Sequence, residues 1–568
     1  TSMSIIPMLK RCFFVLLLLA VVPGVNPVSR GKSLTNPDIV LSQENPVIEP
    51  RFADALSAMD PQSQVKVWVF FTDKGFTDMT SYRSALDLAV KALTPRAAGR
   101  RSKTMKPGLV DFRDIPVNQS YIDRIIKFHA TEKQRSRWLN AASFEMPVGD
   151  LKDISGLSFV RSIKPVLGGK RRPVEPGNEP EGPLQEKGMF SLNYGSSYSQ
   201  LQQINIPAVH SLGYNGQGVI VCMMDTGFRK DHQAFQLAYT EGRVLAEWDF
   251  INDDGNTQNE PGDPSTQHNH GTMTWSTLGG ASDGNLYGPA YGASFILAKT
   301  EDVSSETPIE EDNWVAGMEW ADSIGADVIS SSLGYIDWYT YPDLDGNTAV
   351  ITIAADIAAQ RGIVVCNAMG NEGSGSGSLI APADADSIIA CGAVDGSGNI
   401  AYFSSRGPTY DGRIKPEVCA RGVSTRCANP SSTTGYTTAD GTSLSTPLIG
   451  GAAAVILSAH PTWTPMQVRE AMMASGNNSS WPNNTYGWGI PDILAAIQYS
   501  FYLTGDANGD GKIDVSDIIF IIDYLYQNGR PPSPLYLGDA NCDAAVNVSD
   551  IVYLINYLYQ NGPEPCSH

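Results

Sequence analysis

N-G-Q-G-V-I-V-C-M-M-D-T-G-F, residues 215–228, is a glycine-led apolar run that ends on a carboxylate and a second glycine. Such a run reads as a strand buried on both faces, with Asp225 at its carboxyl end. Four later segments repeat the pattern: A-S-F-I-L-A-K-T (293–300), A-D-V-I-S-S-S-L-G (326–334), G-I-V-V-C-N-A-M-G (362–370) and S-I-I-A-C-G-A-V (387–394). Short apolar strands alternating with helical stretches predict an α/β unit, a parallel sheet with helices on both faces. Strand ends are where open α/β sheets carry their sites.

Two further segments place reactive groups among small residues: H-G-T at 270–272 and G-T-S-L-S-T-P at 441–447. Together the three supply an acid, an imidazole and a hydroxyl. Ser443 would attack an acyl carbon, His270 would take its proton, and Asp225 would hold the imidazole tautomer and stabilise its cation. The run 443–459 is small and apolar throughout and predicts a central buried helix that Ser443 opens. A G-x-S-x-G elbow is absent, because Ser445 stands at the second glycine position, which disfavours an esterase. Of the two imidazoles in H-N-H, only His270 precedes Gly-Thr, so His268 is expected at the surface or a pocket rim. The other histidines (129, 210, 232, 460 and 568) lack H-E-x-x-H spacing, which disfavours a zinc protease.

The wording of 215–228, with His232 downstream, then H-N-H-G-T and D-G-T-S-L-S-T-P, resembles the subtilisin-like serine proteases (subtilases, peptidase S8). The resemblance implies a catalytic domain over 192–502, a serine endopeptidase activity and the triad Asp225, His270 and Ser443. In A-M-G-N-E-G it implies Asn371 as an oxyanion donor, with the Ser443 N–H as the second. Ser332, Leu333 and Gly334 match the edge segment that pairs with extended substrate. Ile380 falls near the floor of the primary pocket, where a bulky side chain favours small or medium P1 residues. F-S-S-R-G-P-T-Y-D-G-R-I-K-P-E-V (403–418) also resembles the family, but A-R-G at 420–422 replaces its usual A-P-G.

The N-terminal 1–27 reads as a secretory signal: Lys10 and Arg11 precede an apolar run, Cys12–Val22, that is broken by Pro23, Gly24, Asn26 and Pro27. The run is too short to span a bilayer comfortably, and no later stretch is expected to cross one in the mature chain. Residues 28–191 predict a small α+β unit, with strands at 65–71, 143–148 and 159–166 and helices at 82–93 and 149–157. It ends in a Gly/Pro/basic linker (168–183), an easily cut composition. Its second half resembles subtilase prosegments, which implies an inhibitory propeptide cut within or just after this linker.

Residues 503–568 hold a repeat, G-D-A-N-G-D-G-K-I-D-V-S-D from 505 and G-D-A-N-C-D-A-A-V-N-V-S-D from 538. Asp506, Asn508, Asp510, Asp514 and Asp517, with the Lys512 carbonyl, have calcium-loop spacing. The second copy offers Asp539, Asn541, Asp543, Asn547 and Asp550 with the Ala545 carbonyl. Ala544 replaces the turn glycine Gly511, so this loop is expected to bind calcium more weakly. Two loop–helix copies without a preceding helix resemble a dockerin, a small α-helical module, which implies a cohesin partner read near Val515-Ser516 and Val548-Ser549. The stripes Ile519, Ile522, Tyr526 and Val552, Ile555, Tyr559 are expected to be packed core.

A net charge of −20 disfavours nucleic acid and anionic membranes as partners. Cys222, Cys366 and Cys391 lie in apolar runs and are expected to be free; Cys419–Cys427 and Cys542–Cys566 are candidate bridges. The expectation is an exported zymogen acting on peptides or proteins. Its rival is a catalytically silent surface assembly protein that uses the dockerin-like module.

Overall fold

Seven short strands run parallel in one sheet that is buried on both faces. In the computed structural model, residues 41–167, 175–176, 192–303, 311–335, 338–499, 504–510 and 512–566 are described. The expected signal (1–27), most of the linker and Gly511 lie outside them.

The first unit is a four-stranded antiparallel sheet, β1 (Gln64–Phe71), β2 (Thr131–Ser136), β3 (Ala141–Pro147) and β4 (Val160–Pro165), in the order β2-β3-β1-β4. Strand periodicity divides β1 between two environments. Val67, Val69 and Phe71 enter the unit's own core, whereas Trp68 and Phe70 enter a core shared with the second unit. Helix α1 (Met79–Ala92) starts at Asp78, whose carboxylate accepts from the Thr80 and Ser81 amides, both at 2.9 Å. A short helix α2 (Pro95–Arg101) follows.

In the second unit the order is β11 (Val418–Arg421), β10 (Ile389–Val394), β9 (Val364–Ala368), β8 (Val328–Ser331), β5 (Ile220–Asp225), β7 (Ser294–Lys299) and β6 (Val244–Asp249). Val221, Met223, Phe295 and Leu297 fill one face; Ile220, Cys222, Met224 and Ile296 fill the other. Helix α3 (Asn269–Gly279) packs on the first face beside helix α6 (Thr442–Ala459). Helices α4 (Glu311–Ile324) and α5 (Val350–Gln360) cover the second face. Helix α6 has the length and apolarity of a membrane span, but 89% of it is buried in the protein, which makes it a core helix. A hairpin, β12 (Thr425–Ala428) and β13 (Tyr436–Asp440), leads into α6, and Glu175–Pro176 pairs with the end of β13.

The third unit packs α7 (Val515–Tyr526) against α8 (Val548–Gln560) through Ile518, Ile521, Ile551 and Leu554. This corrects the expected stripes: Tyr526 and Tyr559 are each 66% exposed, and Ile519 and Val552 are exposed too. The helices turn inward one residue earlier than those stripes, leaving Ile522 and Ile555 half-buried. Cys542 and Cys566 form a disulfide. Cys419 and Cys427 do not: both thiols are free and buried, Cys419 in the sheet core and Cys427 in a separate cluster under the hairpin.

The first unit's sheet lies on α4 and α5. Lys66 Nζ is 2.8 Å from Asp312 Oδ1, Trp68 Nε1 donates to Glu311 Oε1 at 3.0 Å, and Ser136 Oγ donates to Glu319 Oε1 at 2.6 Å. Tyr339 donates to the other Glu311 oxygen at 2.7 Å. Burial pushes the Glu311 carboxyl up to about 8 despite these donors, with Asp312 adding to the rise, and burial also raises Glu319. Lys74 is lowered to about 7 by burial, with Glu319 across the seam opposing the drop, while its ammonium donates to the Ile115 and Arg137 carbonyls of its own unit.

Separation returns Glu311 to water and toward the ordinary 4.5. Association therefore takes up a proton between the two values. Affinity between the units is highest below the lower value, falls by up to about tenfold per pH unit on rising toward the upper one, and then levels. Size exclusion of linker-cut protein from pH 5 to pH 9 checks this; a flat profile contradicts it.

Candidate active site

Asp225 ends β5, and the chain turns at once through Gly227, whose φ of 134° suits glycine. Helix α3 starts hard against this turn: a Cβ on Gly271 would lie 2.1 Å from the Gly227 oxygen. The close start brings His270 Nδ1 to 2.6 Å from Asp225 Oδ1. Thr226 N donates to the same oxygen at 2.7 Å, and Thr274 Oγ1 donates to Oδ2 at 2.9 Å. Both partners are buried, and His270 Nε2 is left without a protein hydrogen bond among the described residues. That nitrogen is available to take a proton.

Ser443 lies in the first turn of α6, where backbone amides lack intrahelical acceptors. Pro447 sits four residues on and has no N–H to give the Ser443 carbonyl. Ser332 Oγ donates to that carbonyl instead, at 2.9 Å. Ser443 Oγ is 3.4 Å from the Ser332 carbonyl, so the two serines are tied reciprocally.

Asn371 is oriented by Thr442, whose N and Oγ1 donate to Asn371 Oδ1 at 2.9 and 3.0 Å. The amide nitrogen is then the end left to donate, and a Cβ on Gly441 would be 3.7 Å from it. The Asp225–His270 pair and the Ser443–Asn371 group thus stand on the adjoining helices α3 and α6 and the turns before them, residue types suited to acyl transfer, although Ser443 Oγ is bonded to the Ser332 carbonyl and not to His270 Nε2.

The 332–334 segment adjoins this set. The Leu333 carbonyl accepts from Asn367 Nδ2 at 3.0 Å, and Gly334 lies under Ile380, 2.4 Å from Cδ1 for an added Cβ. Ile380 also covers Gly370, next to Asn371. The A-R-G departure is harmless locally: Gly422 still accepts from Gly441 N at 2.8 Å, and Arg421 Nε donates to the Val423 carbonyl at 3.0 Å.

His268 is not a rim residue. It is buried as the residue before α3, and its carbonyl accepts from Thr272. Sequence reading missed Thr274 and Thr442. Thr274 stands one helical turn after His270, a spacing that could have revealed it; Thr442 carried no such signal.

In the third unit, Asp539, Asp543 and Asp550 bring carboxylate oxygens within 4.8 Å of one another. In the first loop Asp506 accepts from the Gly509 and Asp510 amides, Asn508 from Asp510, and Asp510 from Lys512. Asn541 likewise accepts from the Asp543 amide. Burial, then neighbouring carboxylates, raise the Asp517 and Asp550 carboxyls. Crowded hard-oxygen donors of this kind fit calcium. Asp514 and Asn547 cap α7 and α8 through Ser516 N and Ser549 N, and the Ala545 carbonyl accepts from Asn547 Nδ2. Ala544 holds a φ of 66°, a glycine conformation.

Residues 216–489 match the subtilase family model, residues 66–177 the peptidase S8 propeptide domain of Bacteroidota, and residues 504–559 the dockerin type I domain. Subtilisin J of Geobacillus stearothermophilus is 36% identical over 424 residues, 72% of this chain and 95% of that protein. The chain belongs to the subtilase family. Subtilisin E of Bacillus subtilis (strain 168) is 32% identical over the same length and shares, and a subtilisin of Bacillus pumilus is 35% identical over 314 residues, 54% of this chain and 99% of its own. This subtilase is a serine endopeptidase by family, with a propeptide domain and a dockerin module.

Replacing Asn371 by Leu is expected to lower kcat by about 10²–10³ with KM little changed. Thr442→Val, which loosens the same amide, costs roughly tenfold, so equal effects in steady-state assays would contradict the positioning role. Ala544→Gly relieves the left-handed backbone and should tighten calcium binding to the second loop several-fold by calorimetry on the full chain.

Proposed function

We propose that this subtilase is an exported zymogen that hydrolyses peptide bonds through an acyl-enzyme on Ser443. His270 serves as base and then acid, Asp225 orients it, and Asn371 and the Ser443 N–H hold the oxyanion. The observation that carries the reading is the 2.6 Å Asp225–His270 bond, which leaves His270 Nε2 without a protein hydrogen bond among the described residues; the packing of α3 on α6 and the Thr442-oriented Asn371 amide support it. Ser332, Leu333 and Gly334 receive extended substrate, and Ile380 over Gly334 shortens the primary pocket, which favours small or medium P1 side chains.

The first unit is the inhibitory prosegment. Its sheet buries Trp68 and Phe70 on the catalytic unit, and Glu175–Pro176 runs beside the strand that leads into Gly441. The C-terminal module holds calcium through the two Asp-rich loops and docks on a cohesin. Val515 and Val548, expected to be read by such a partner, are 50% and 54% exposed at matching places on the two copies. The signal-like N-terminus, the propeptide and the dockerin together favour secretion or display at the cell surface.

Casein hydrolysis and labelling by a serine-reactive phosphonate, in the parent and in Ser443→Ala, test the catalytic reading. The parent is expected to cleave and label once the prosegment has gone, and the variant to do neither. An inert parent overturns the assignment. Peptide profiling of the parent should favour small or medium residues at P1, and Ile380→Gly should admit Phe; strong parental cleavage after Arg or Phe refutes the shortened pocket.

A further inference from the structure

Helix α2 lies at the opposite edge of the catalytic sheet from Ser443. Its neighbours Asp327 and Gly218, both bonded by Arg96, precede β8 and β5, whereas the candidate site residues lie at or beyond the strands' carboxyl ends. From this helix two adjacent arginines enter the catalytic unit completely, Arg100 2% exposed and Arg101 0%.

Each nitrogen of the Arg100 fork donates. Nε donates to the Arg361 carbonyl at 3.0 Å, Nη1 to the Ala326 carbonyl at 2.6 Å, and Nη2 to both the carbonyl and the carboxylate of Asp322. Arg101 meets the same carboxylate through Nε and Nη2 and turns Nη1 to Asp114 of its own unit at 2.8 Å. Arg137 approaches Asp322 as well, at 3.4 Å. One fully buried carboxylate thus faces three guanidinium groups, all from the first unit.

The catalytic side is built for this charge. Asp322 is in the last turn of α4, Ala326 follows that helix, and Arg361 caps α5, so two helix C-termini point their carbonyls at Arg100. Gly325 and Gly362, at φ of 106° and 89°, end these helices and let the arm lie close: a Cβ on Gly362 would be 2.9 Å from the Arg100 oxygen, and one on Gly325 3.0 Å from Arg96 Cβ. The contact is reciprocal, since Arg361 donates back to Asp111 and Asp114 at 3.1 and 3.2 Å.

We propose that Asp322, with the carbonyls of Asp322, Ala326 and Arg361, forms a guanidinium-reading socket on the catalytic unit, and that Arg100 and Arg101 in this socket keep the cut prosegment bound. The proposal rests on reading the first unit as the prosegment. It adds a lock remote from the substrate cleft, whose ligand class is a pair of adjacent arginines on a helix. A planar fork suits three convergent carbonyls and a carboxylate, whereas an ammonium cannot fill them together.

The test reads binding rather than catalysis. A site-specific protease sequence is placed within 177–191 of the full chain carrying Ser443→Ala, the linker is cut, and prosegment retention is followed by size exclusion. The cut parent should stay associated. Arg100→Ala with Arg101→Ala should weaken association by about 100-fold or more, and Arg100→Lys with Arg101→Lys should not restore it. Retention equal to the parent in the alanine pair overturns the proposal.

If that variant fails to fold, the cut parent is challenged with arginine amide or lysine amide at equal ionic strength. Selective release by arginine amide is expected, and equal effects overturn guanidinium reading. Casein cleavage by the cut Ser443 protein, run in parallel, separates the two claims: arginine-driven release without a gain in activity would leave the socket standing and remove the inhibitory role.

Discussion

Helix α6 is buried on every side, and that constraint organises the catalytic unit. It fits only because small residues line it: a Cβ on Gly450 would already sit 3.1 Å from Ser330, and one on Gly451 3.0 Å from Pro289. A helix held this tightly has a fixed starting point, at the carboxyl edge of the sheet. Its first residues then place the chemistry. Thr442 orients Asn371, Ser443 is presented in the first turn, and the missing donor of Pro447 leaves a carbonyl for Ser332. The 332–334 segment and Ser443 are therefore joined through one exchanged pair of hydrogen bonds.

Charge is distributed with equal economy. The chain carries a net −20, yet the catalytic face toward the prosegment gathers Glu311, Asp312, Glu319, Asp322 and Asp327. Lys66, Arg96, Arg101 and Arg137 answer them across the seam. Buried pairs of this kind add little net stability over an apolar seam, but each is costly to break singly. They therefore favour one docking geometry and penalise partial ones.

The candidate site residues stood out in the sequence because each needs small neighbours. Gly227, Gly271 and Gly441 are dictated by close approach, and those contacts leave short motifs. The parallel sheet was legible through continuous apolar runs. Strand β6, V-L-A-E-W-D, was not, since it is an edge strand with mixed burial, and β2, T-E-K-Q-R-S, alternates too weakly to stand out. Helical periodicity gave α7 and α8 but put the buried face one residue late, because an apolar stripe on both sides of a helix does not say which side packs. The Arg100–Arg101 arm was illegible for a different reason: a basic pair on a surface helix acquires meaning only from the helix ends it meets in space.

Cys542 occupies the second calcium loop at a φ of 57°, where the first loop has Gly509. Its bridge to Cys566 ties that loop to the chain's final segment. The other five described cysteines are buried, and burial raises each of their thiols, holding them protonated and unreactive. Oxidation therefore has one outcome among these seven residues and no competing pairing to sort. An oxidising compartment favours this bridge and a reducing one does not, so the tie on the second loop depends on the redox poise around it.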